Sequence, residues 1–125
     1  MTGSPGYFKE KTIVITGAAS GIGQAAALIF AREGANVLCA DLNEEGATRA
    51  ADEVNEGGGR GLAARVDVTS REEAKDMIRR AKSEFGGVDF LFNSAGSALR
   101  RSEFLDIDDD LWEKTFDLNV KGVFY

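Results

Sequence analysis

Short apolar runs alternate with helix-like segments along most of the chain. Four runs have the apolar character of strands that are buried on both faces: residues 13–16, 36–40, 62–66 and 88–93. Four segments have the spacing of helices: residues 22–33, 44–56, 71–85 and a segment that begins near 108 and has not ended at 125. Because strands that alternate with helices pair in parallel through right-handed crossovers, the pattern predicts an α/β fold with a doubly wound parallel sheet.

Polar caps and glycines mark the ends of the predicted helices. Ser70 and Glu73 have the spacing of a capping box before the third helix. Glycines follow the first three helices, where a left-handed residue often ends a helix: Gly34, Gly57–Gly59 and Gly86–Gly87. Residues 1–9 are predicted to be a flexible lead-in, and residues 10–125 to form one domain.

The last predicted helix is strongly apolar along one side and has no terminal cap. Its apolar residues are Trp112, Phe116, Val120, Val123 and Phe124. A natural domain rarely ends within an apolar helix, so the chain is expected to be a fragment. The fourth strand would then be an open sheet edge beside an exposed apolar helix, which predicts self-association into a homo-oligomer.

Composition and charge exclude several classes of function. The chain has 125 residues, 43% of them hydrophobic, and a net charge of -6, which argues against nucleic acid or an anionic membrane as partner. It contains no histidine, which removes histidine acid–base chemistry and most zinc sites, and no metal site is predicted. Cys39 lies in an apolar run and is predicted to be a small buried hydrophobe. Without a signal-like segment or a membrane span, a cytoplasmic protein is expected.

A glycine-rich turn between the first strand and the first helix predicts a phosphate site. Gly17 permits a tight turn after the strand, Gly21 allows close approach of backbone N–H groups to a pyrophosphate, and Gly23 allows the helix to pack closely. The helix start adds free N–H donors and a positive dipole end. The alternative is a tight turn without a ligand, because a lone glycine motif is a weak signal.

An acidic residue at the end of the second strand strengthens the nucleotide interpretation. Asp41 stands about 20 residues after the glycines, where a carboxylate accepts from the adenosine ribose hydroxyls. It would repel a 2′-phosphate, and no Arg or Lys occupies the glycine turn, so NAD is favoured over NADP. The alternative is a solvated carboxylate at a strand end.

Five ordered motifs resemble those of the short-chain dehydrogenase/reductase family, in its ordinary reductase branch. They are the glycine spacing, Asp41, Asp67-Val68, Asn93-Ser94-Ala95-Gly96, and Trp112 followed by Asn119-Val120-Lys121-Gly122. Ser94 stands where the family usually has a second asparagine. The resemblance implies a Rossmann-like doubly wound sheet, here about four strands in the order 3-2-1-4. It also implies hydride transfer between NAD(P) and a small alcohol or carbonyl substrate.

The resemblance also implies a role for individual residues. The backbone around Ser20, Gly21 and Ile22 would hold the pyrophosphate and its ribose, and Leu42 would flank the adenine beside Asp41. Asp67 would accept from the adenine amino group, and the Val68 backbone would meet the ring edge. Thr16 would brace the 93–96 loop through its hydroxyl. The residues expected to pass under the cofactor are Asn93, Ala95 and Gly96.

The family's catalytic set is only partly represented. Asn119 matches the asparagine that holds a water in the proton relay, although a helix-bending polar residue is an equal alternative. The family's serine and its tyrosine followed four residues later by lysine lie beyond a fifth strand, which this chain does not reach. Tyr125 is expected to be structural. The chain is therefore expected to be inactive alone, with a nucleotide-binding module or a self-associating structural fragment as the alternatives.

Three other groups have simpler interpretations than a binding site. Arg100-Arg101 could meet an acidic substrate, but a solvated pair is favoured. The run formed by Asp106 and Asp108–Asp110 is assigned to helix N-terminal charge instead of a metal. Phe90–Phe92 are expected to lie in the sheet core.

Overall fold

A computed structural model describes residues 7–96 and 107–125, apart from the side chain of Phe124. The strands are β1 Thr12–Thr16, β2 Asn36–Asp41, β3 Arg60–Arg65 and β4 Phe90–Asn93. The helices are α1 Gly21–Arg32, α2 Glu44–Glu56, α3 Arg71–Phe85, α4 Asp109–Phe116, a π-helical segment Asp117–Lys121 and α5 Gly122–Phe124. All strand pairs are parallel and the order is β3-β2-β1-β4, which confirms the predicted fold class.

The sheet has a hydrophobic core on each face, as a doubly wound fold requires. Alternate residues of a strand point to opposite faces. Ile13 and Ile15 of β1 pack with alanines of α1 and α2 on one face, whereas Val14 packs with Met77 and Ala81 of α3 on the other. The two central strands are therefore apolar at nearly every position, which explains their continuous runs in the sequence.

Two strand boundaries differ from the predicted ones. β3 begins at Arg60 instead of 62, because Arg60 pairs with Asn36 at the start of β2. β4 begins at Phe90 instead of 88. Asp89, just before it, accepts the Thr12 N–H through its carboxylate at 2.8 Å and donates its own N–H to the Thr12 carbonyl at 2.9 Å. A side chain thus begins the pairing of β4, which an apolar pattern does not reveal.

The predicted capping box of α3 is only half formed. Ser70 Oγ accepts the Glu73 N–H at 3.2 Å, as predicted. The Glu73 carboxylate does not return to the Ser70 N–H and instead accepts the Asp67 N–H at 3.2 Å. The Ser70 N–H is already donated to the Asp67 carbonyl at 3.0 Å. The left-handed end of α3 at Gly86 (φ 89°) is confirmed.

The two sheet edges differ in how they are covered. Asn55 of α2 pairs with the backbone of Gly61 in β3, through Oδ1 at 2.8 Å and Nδ2 at 3.1 Å, and Arg80 of α3 donates to the Ala63 carbonyl at 2.6 Å. These contacts cover the outer edge of β3, where another strand could otherwise pair. At the opposite edge, Phe90 and Leu91 of β4 are 37% and 47% exposed. The prediction that both lie in the core is therefore wrong.

The final helical segment is mostly exposed along its apolar side. Its exposed residues are Trp112, Phe116, Val120 and Val123. The acidic start behaves as predicted: Asp108 accepts the Leu111 N–H at 2.7 Å, and Asp110 pairs with Lys114 at 3.1 Å. Asp106 and Arg100-Arg101 lie outside the described residues. None of the helices in the described part of the chain has the length and apolar character needed to span a bilayer.

Cys39 is fully buried in β2, and burial raises the pKa of its thiol from 9.0 to about 12. We expect the thiol to resist aromatic disulfide reagents in the folded chain at pH 8 and to react once urea unfolds it. The pKa of this thiol is higher in the folded chain than in the unfolded chain. The contribution of the protonated Cys39 thiol to folding stability is therefore complete below pH 9 and is lost as pH rises towards 12. Urea unfolding at several pH values, with Cys39→Ala as the matched chain, measures this loss. Rapid labelling of Cys39 in the native protein would contradict the predicted resistance to disulfide reagents.

Candidate functional site

A cavity of about 630 Å³ opens at the carboxyl ends of the strands. It lies beside the point where the strand order reverses, because β2 and β3 lie on one side of β1 and β4 lies on the other; open α/β sheets bind ligands at such a point. The residues that line it are Gly17, Ser20, Gly21, Ile22, Ala40, Asp41, Leu42, Val66, Asp67, Val68, Ser94, Ala95, Gly96 and Leu118. Ten of the predicted cofactor-contacting residues are in this set, and Gly23 and Asn93 are not.

The β1–α1 turn has close backbone packing on one side and an open side. A Cβ on Gly17 would lie 2.8 Å from backbone atoms of Ser94 and Ala95, and one on Gly23 would collide with the Gly17 carbonyl oxygen. A Cβ on Gly21 would meet nothing within 4 Å, although Gly21 has a left-handed φ of 57°. The lack of a side chain at Gly17 and Gly23 therefore lets the β1–α1 turn, the first turn of α1 and the loop after β4 approach one another. Gly21 instead leaves the rim of the cavity open.

The start of α1 differs electrostatically from the starts of the other long helices. Ser20, its N-cap residue, makes no side-chain cap bond, and its first turn has no acidic residue. By contrast, α2, α3 and α4 each have a side-chain cap, from Asn43, Ser70 and Asp108, and two acidic residues in the first turn. The positive end of the α1 dipole is thus left for an anion from outside the helix.

Two backbone amides of the turn are already bonded within the protein. The Ala18 N–H donates to the Ala40 carbonyl at 3.1 Å, and the Ala19 N–H donates to Asp41 Oδ2 at 3.0 Å. The amides left for a ligand are thus those at the start of α1 itself.

Asp41 is held in place at the end of β2 by backbone donors on both oxygens. In addition to the Ala19 N–H on Oδ2, the Asn43 N–H donates to Oδ1 at 2.9 Å. An ionised carboxylate has about four acceptor positions, so each oxygen keeps one for a ligand hydroxyl. Leu42, the next residue, is 57% exposed at the cavity.

Asp67 and Val68 follow β3 and form the far side of the cavity. Thr69 donates to Asp67 Oδ1 from its hydroxyl at 2.6 Å and from its N–H at 2.9 Å. Val68 is 7% exposed, and its side chain packs against Gly122 of α5, where a Cβ would lie 2.7 Å from Val68 Cγ2.

The predicted brace between β1 and the loop after β4 is confirmed. Thr16 Oγ1 accepts the Ala95 N–H at 3.2 Å. Asn93 pairs with Thr16 within the sheet and does not line the cavity, whereas Ser94, Ala95 and Gly96 do. The loop after β4 is therefore fixed to the central strand β1 by the Thr16 side chain.

Asn119 lies in the π-helical segment beside the cavity floor. Its Nδ2 donates to the Thr115 carbonyl at 2.9 Å, one turn back along the helix. Its Oδ1 faces Gly96, where an added Cβ would lie only 2.5 Å away. Asn119 itself does not line the cavity, and the neighbouring Leu118 does. The π-helical segment fits the helix-bending interpretation of Asn119, and its catalytic role stays a prediction.

Sequence reasoning missed four residues that line the cavity. They are Ala40, Val66, Ser94 and Leu118. Ala40 and Val66 directly precede Asp41 and Asp67, so the carboxyl-end position of these acids could have indicated them. Leu118 gave no such signal, because its place depends on how the last helix packs against Val68.

One tyrosine of the chain is followed four residues later by a lysine, as in the family's catalytic pair. Tyr7 and Lys11 precede β1 and therefore lie at the amino end of the sheet, opposite the cavity. Tyr7 is 64% exposed and its ring contacts Phe8. This spacing thus has no part in the site. At the other end of the chain, the Tyr125 ring lies 4.5 Å from the Arg71 guanidinium.

One family of known proteins matches the part of the chain that contains this turn, these acidic residues and this cavity. The family model described as short chain dehydrogenase matches residues 11–125. The chain belongs to this family. The family assignment is consistent with the fold and with the order of the motifs along the chain.

Several members of the family are similar over nearly the whole of this chain. YuxG of Bacillus subtilis, an uncharacterized oxidoreductase, is 42% identical over 120 residues, which are 94% of this chain and 17% of that protein. The 3beta-hydroxysteroid dehydrogenase 2 of Eggerthella lenta is 38% identical over 115 residues, 92% of this chain and 44% of that protein. This chain thus spans less than half the length of these relatives.

A solved structure of a relative is also similar. It is a 7α-hydroxysteroid dehydrogenase complexed with NADH and 7-oxo glycochenodeoxycholic acid, with a TM-score of 0.90 and 35% identity over 99% of this chain and 48% of that one. The similarity covers the entire sheet and the helices described above.

Proposed function

We propose that this chain is the NAD-binding portion of an oxidoreductase that transfers hydride between a nicotinamide cofactor and an alcohol or carbonyl compound. One observation carries the proposal: the uncapped start of α1 and the fixed carboxylate of Asp41 border the same cavity. A positive helix end suits a diphosphate, and a carboxylate suits the vicinal hydroxyls of a ribose. The family membership and the NADH complex of the solved relative support the same ligand.

The cavity offers a group of suitable chemistry for each part of the dinucleotide. Backbone N–H groups of Ser20, Gly21 and Ile22 would hold the diphosphate, with Gly23 keeping α1 close to the turn. Asp41 and Leu42 would hold the adenosine ribose and flank the base. Asp67 and Val68 would contact the adenine, and Ala95 and Gly96 would pass under the rest of the cofactor, with Asn93 behind them at the end of β4.

Asp41 favours NAD over NADP. A phosphate on the 2′-hydroxyl would place a second negative group against the Asp41 carboxylate. Both carboxylate oxygens are anchored by backbone N–H groups, so the side chain would have to break these bonds to turn away. No arginine or lysine stands between residues 16 and 23 to compensate for the phosphate charge.

Catalytic turnover requires groups beyond those identified in this cavity. When bound, the cofactor would accept or donate the hydride, and Asn119 would hold a water for proton transfer. An asparagine supplies neither a proton nor a charge. We therefore propose that the chain binds NAD without turnover when isolated. Cytoplasmic location remains a prediction, as does self-association, either edge-to-edge at β4 or through the apolar side of the last helix.

Calorimetric titration of the chain with NAD tests the binding proposal. We expect saturable binding at one site per chain and weaker binding of NADP. An absorbance assay for NADH formation, with a panel of alcohols, tests the second part, and no turnover is expected. Absence of NAD binding by a folded chain would contradict the proposed function, whereas measurable turnover would contradict only the claim of inactivity.

A further inference from the structure

The Asp67 carboxylate is fixed on one side by a single residue. Thr69 donates to Asp67 Oδ1 twice, from its hydroxyl at 2.6 Å and from its backbone N–H at 2.9 Å. Short bonds to an ionised acceptor are among the stronger hydrogen bonds in proteins. Both donors reach the same oxygen, so they limit rotation of the carboxylate about its side-chain bond.

The backbone of Asp67 is fixed by the start of α3. Its N–H donates to Glu73 Oε1 at 3.2 Å, and its carbonyl accepts the Ser70 N–H at 3.0 Å. Arg65 Nη1 lies 3.5 Å from the same Glu73 oxygen. The cap of α3 and the wall of the cavity are therefore one hydrogen-bonded unit. Among the described residues, Thr69 makes the only side-chain hydrogen bond to the Asp67 carboxylate.

These bonds leave one oxygen for a ligand. Within the described part of the chain, Asp67 Oδ2 accepts no hydrogen bond, and Asp67 lines the cavity. We propose that Thr69 is a positioning residue: it commits Oδ1, presents Oδ2 as an acceptor, and so makes the cavity select a base with an amino group over one with a carbonyl oxygen. The inference rests on the proposed function, because it assigns the adenine end of the dinucleotide to this wall. A carbonyl oxygen in place of the amino group would face the carboxylate without a shared hydrogen.

The test compares NAD with nicotinamide hypoxanthine dinucleotide, in which a carbonyl oxygen replaces the adenine amino group. Thr69→Val keeps the shape of the side chain and the backbone N–H but removes the hydroxyl donor. In calorimetric titrations we expect this variant to lose about 5- to 10-fold in NAD affinity. Its affinity for the hypoxanthine analogue should stay within about 2-fold of the original. Thr69→Ser restores the donor and should restore the original preference.

Thr115→Val is the matched control for a purely structural effect. It removes a threonine hydroxyl that donates to the Leu111 carbonyl at 2.7 Å within α4, and Thr115 does not line the cavity, so the preference between the two dinucleotides should stay unchanged. If Thr69→Val weakens both ligands equally, or keeps the full preference, the positioning role is wrong while the proposed function stands. If the unaltered chain binds neither dinucleotide, the proposed function fails and this inference fails with it.

Discussion

Replacing Gly23 with alanine should abolish most NAD binding and destabilise the chain, although alanine is the better helix former. The new Cβ would collide with the Gly17 carbonyl oxygen, and Gly17 itself lies against backbone atoms of Ser94 and Ala95. Because all of these contacts involve backbone, the turn must shift as a unit. We expect unfolding free energy to fall by about 1–3 kcal/mol. NAD affinity should fall about 100-fold, equivalent to one or two charge-assisted hydrogen bonds of roughly 1.5–3 kcal/mol each.

Two further glycines separate packing from ligand contact. Gly87→Ala introduces a Cβ that meets nothing within 4 Å, and Gly87 does not line the cavity. This variant should change neither the free energy of unfolding nor the NAD affinity. Gly21→Ala also meets nothing, but its left-handed φ should cost about 1–2 kcal/mol of stability. Because Gly21 lines the cavity rim, its variant should lose NAD affinity beyond what the loss of stability explains. Equal behaviour of Gly23→Ala and Gly87→Ala would show that the close approach at Gly23 is unimportant.

Asp41→Asn should change cofactor preference more than any other conservative substitution at the site. The amide keeps the size of the side chain but removes its charge and one acceptor oxygen. We expect NAD affinity to fall about 10- to 50-fold, in line with the loss of a hydrogen bond to a charged group. Repulsion of a 2′-phosphate should weaken at the same time, so the ratio of NAD to NADP affinity should fall by at least about 10-fold.

Asp52→Asn provides the matched change in net charge. Asp52 is exposed on α2 and does not line the cavity, so both cofactor affinities should remain unchanged. Calorimetric titrations of both variants with NAD and NADP measure the ratio directly. An unchanged ratio in Asp41→Asn would place the adenosine ribose away from the end of β2.

The fold could be predicted because each element is specified locally. The buried central strands show it most clearly: β1 is apolar except at its ends, since helices cover both of its faces. Glycines whose role is local, such as Gly86 at the end of α3, were also identified. The pattern could not predict that the pairing of β4 begins with a polar side chain, that of Asp89. It also could not predict that the Glu73 carboxylate accepts the Asp67 N–H instead of the N–H of Ser70.

The residues of the candidate site fall into the same two groups, those specified locally and those that depend on tertiary packing. Residues in the turn and at strand ends are positioned by the sheet itself, so Gly17, Asp41 and Asp67 could be placed from their spacing. Leu118 and the orientation of Asn119 depend on a π-helical segment and on how the last helix packs, and these are tertiary properties. The exposure of Phe90 and Leu91 likewise follows from the position of β4 at an edge of the four strands and not from their apolar character.

The central claim is that a dinucleotide binds at the carboxyl ends of the strands with its diphosphate at the start of α1. An NMR titration of the ¹⁵N-labelled chain with NAD tests this most directly, because it reports each backbone amide separately. The account predicts saturable shifts that are largest at the Gly21 and Ile22 amides, with smaller shifts at Asp41 and Asp67. Saturable shifts confined to other parts of the chain, or none at all in a folded sample, would contradict it.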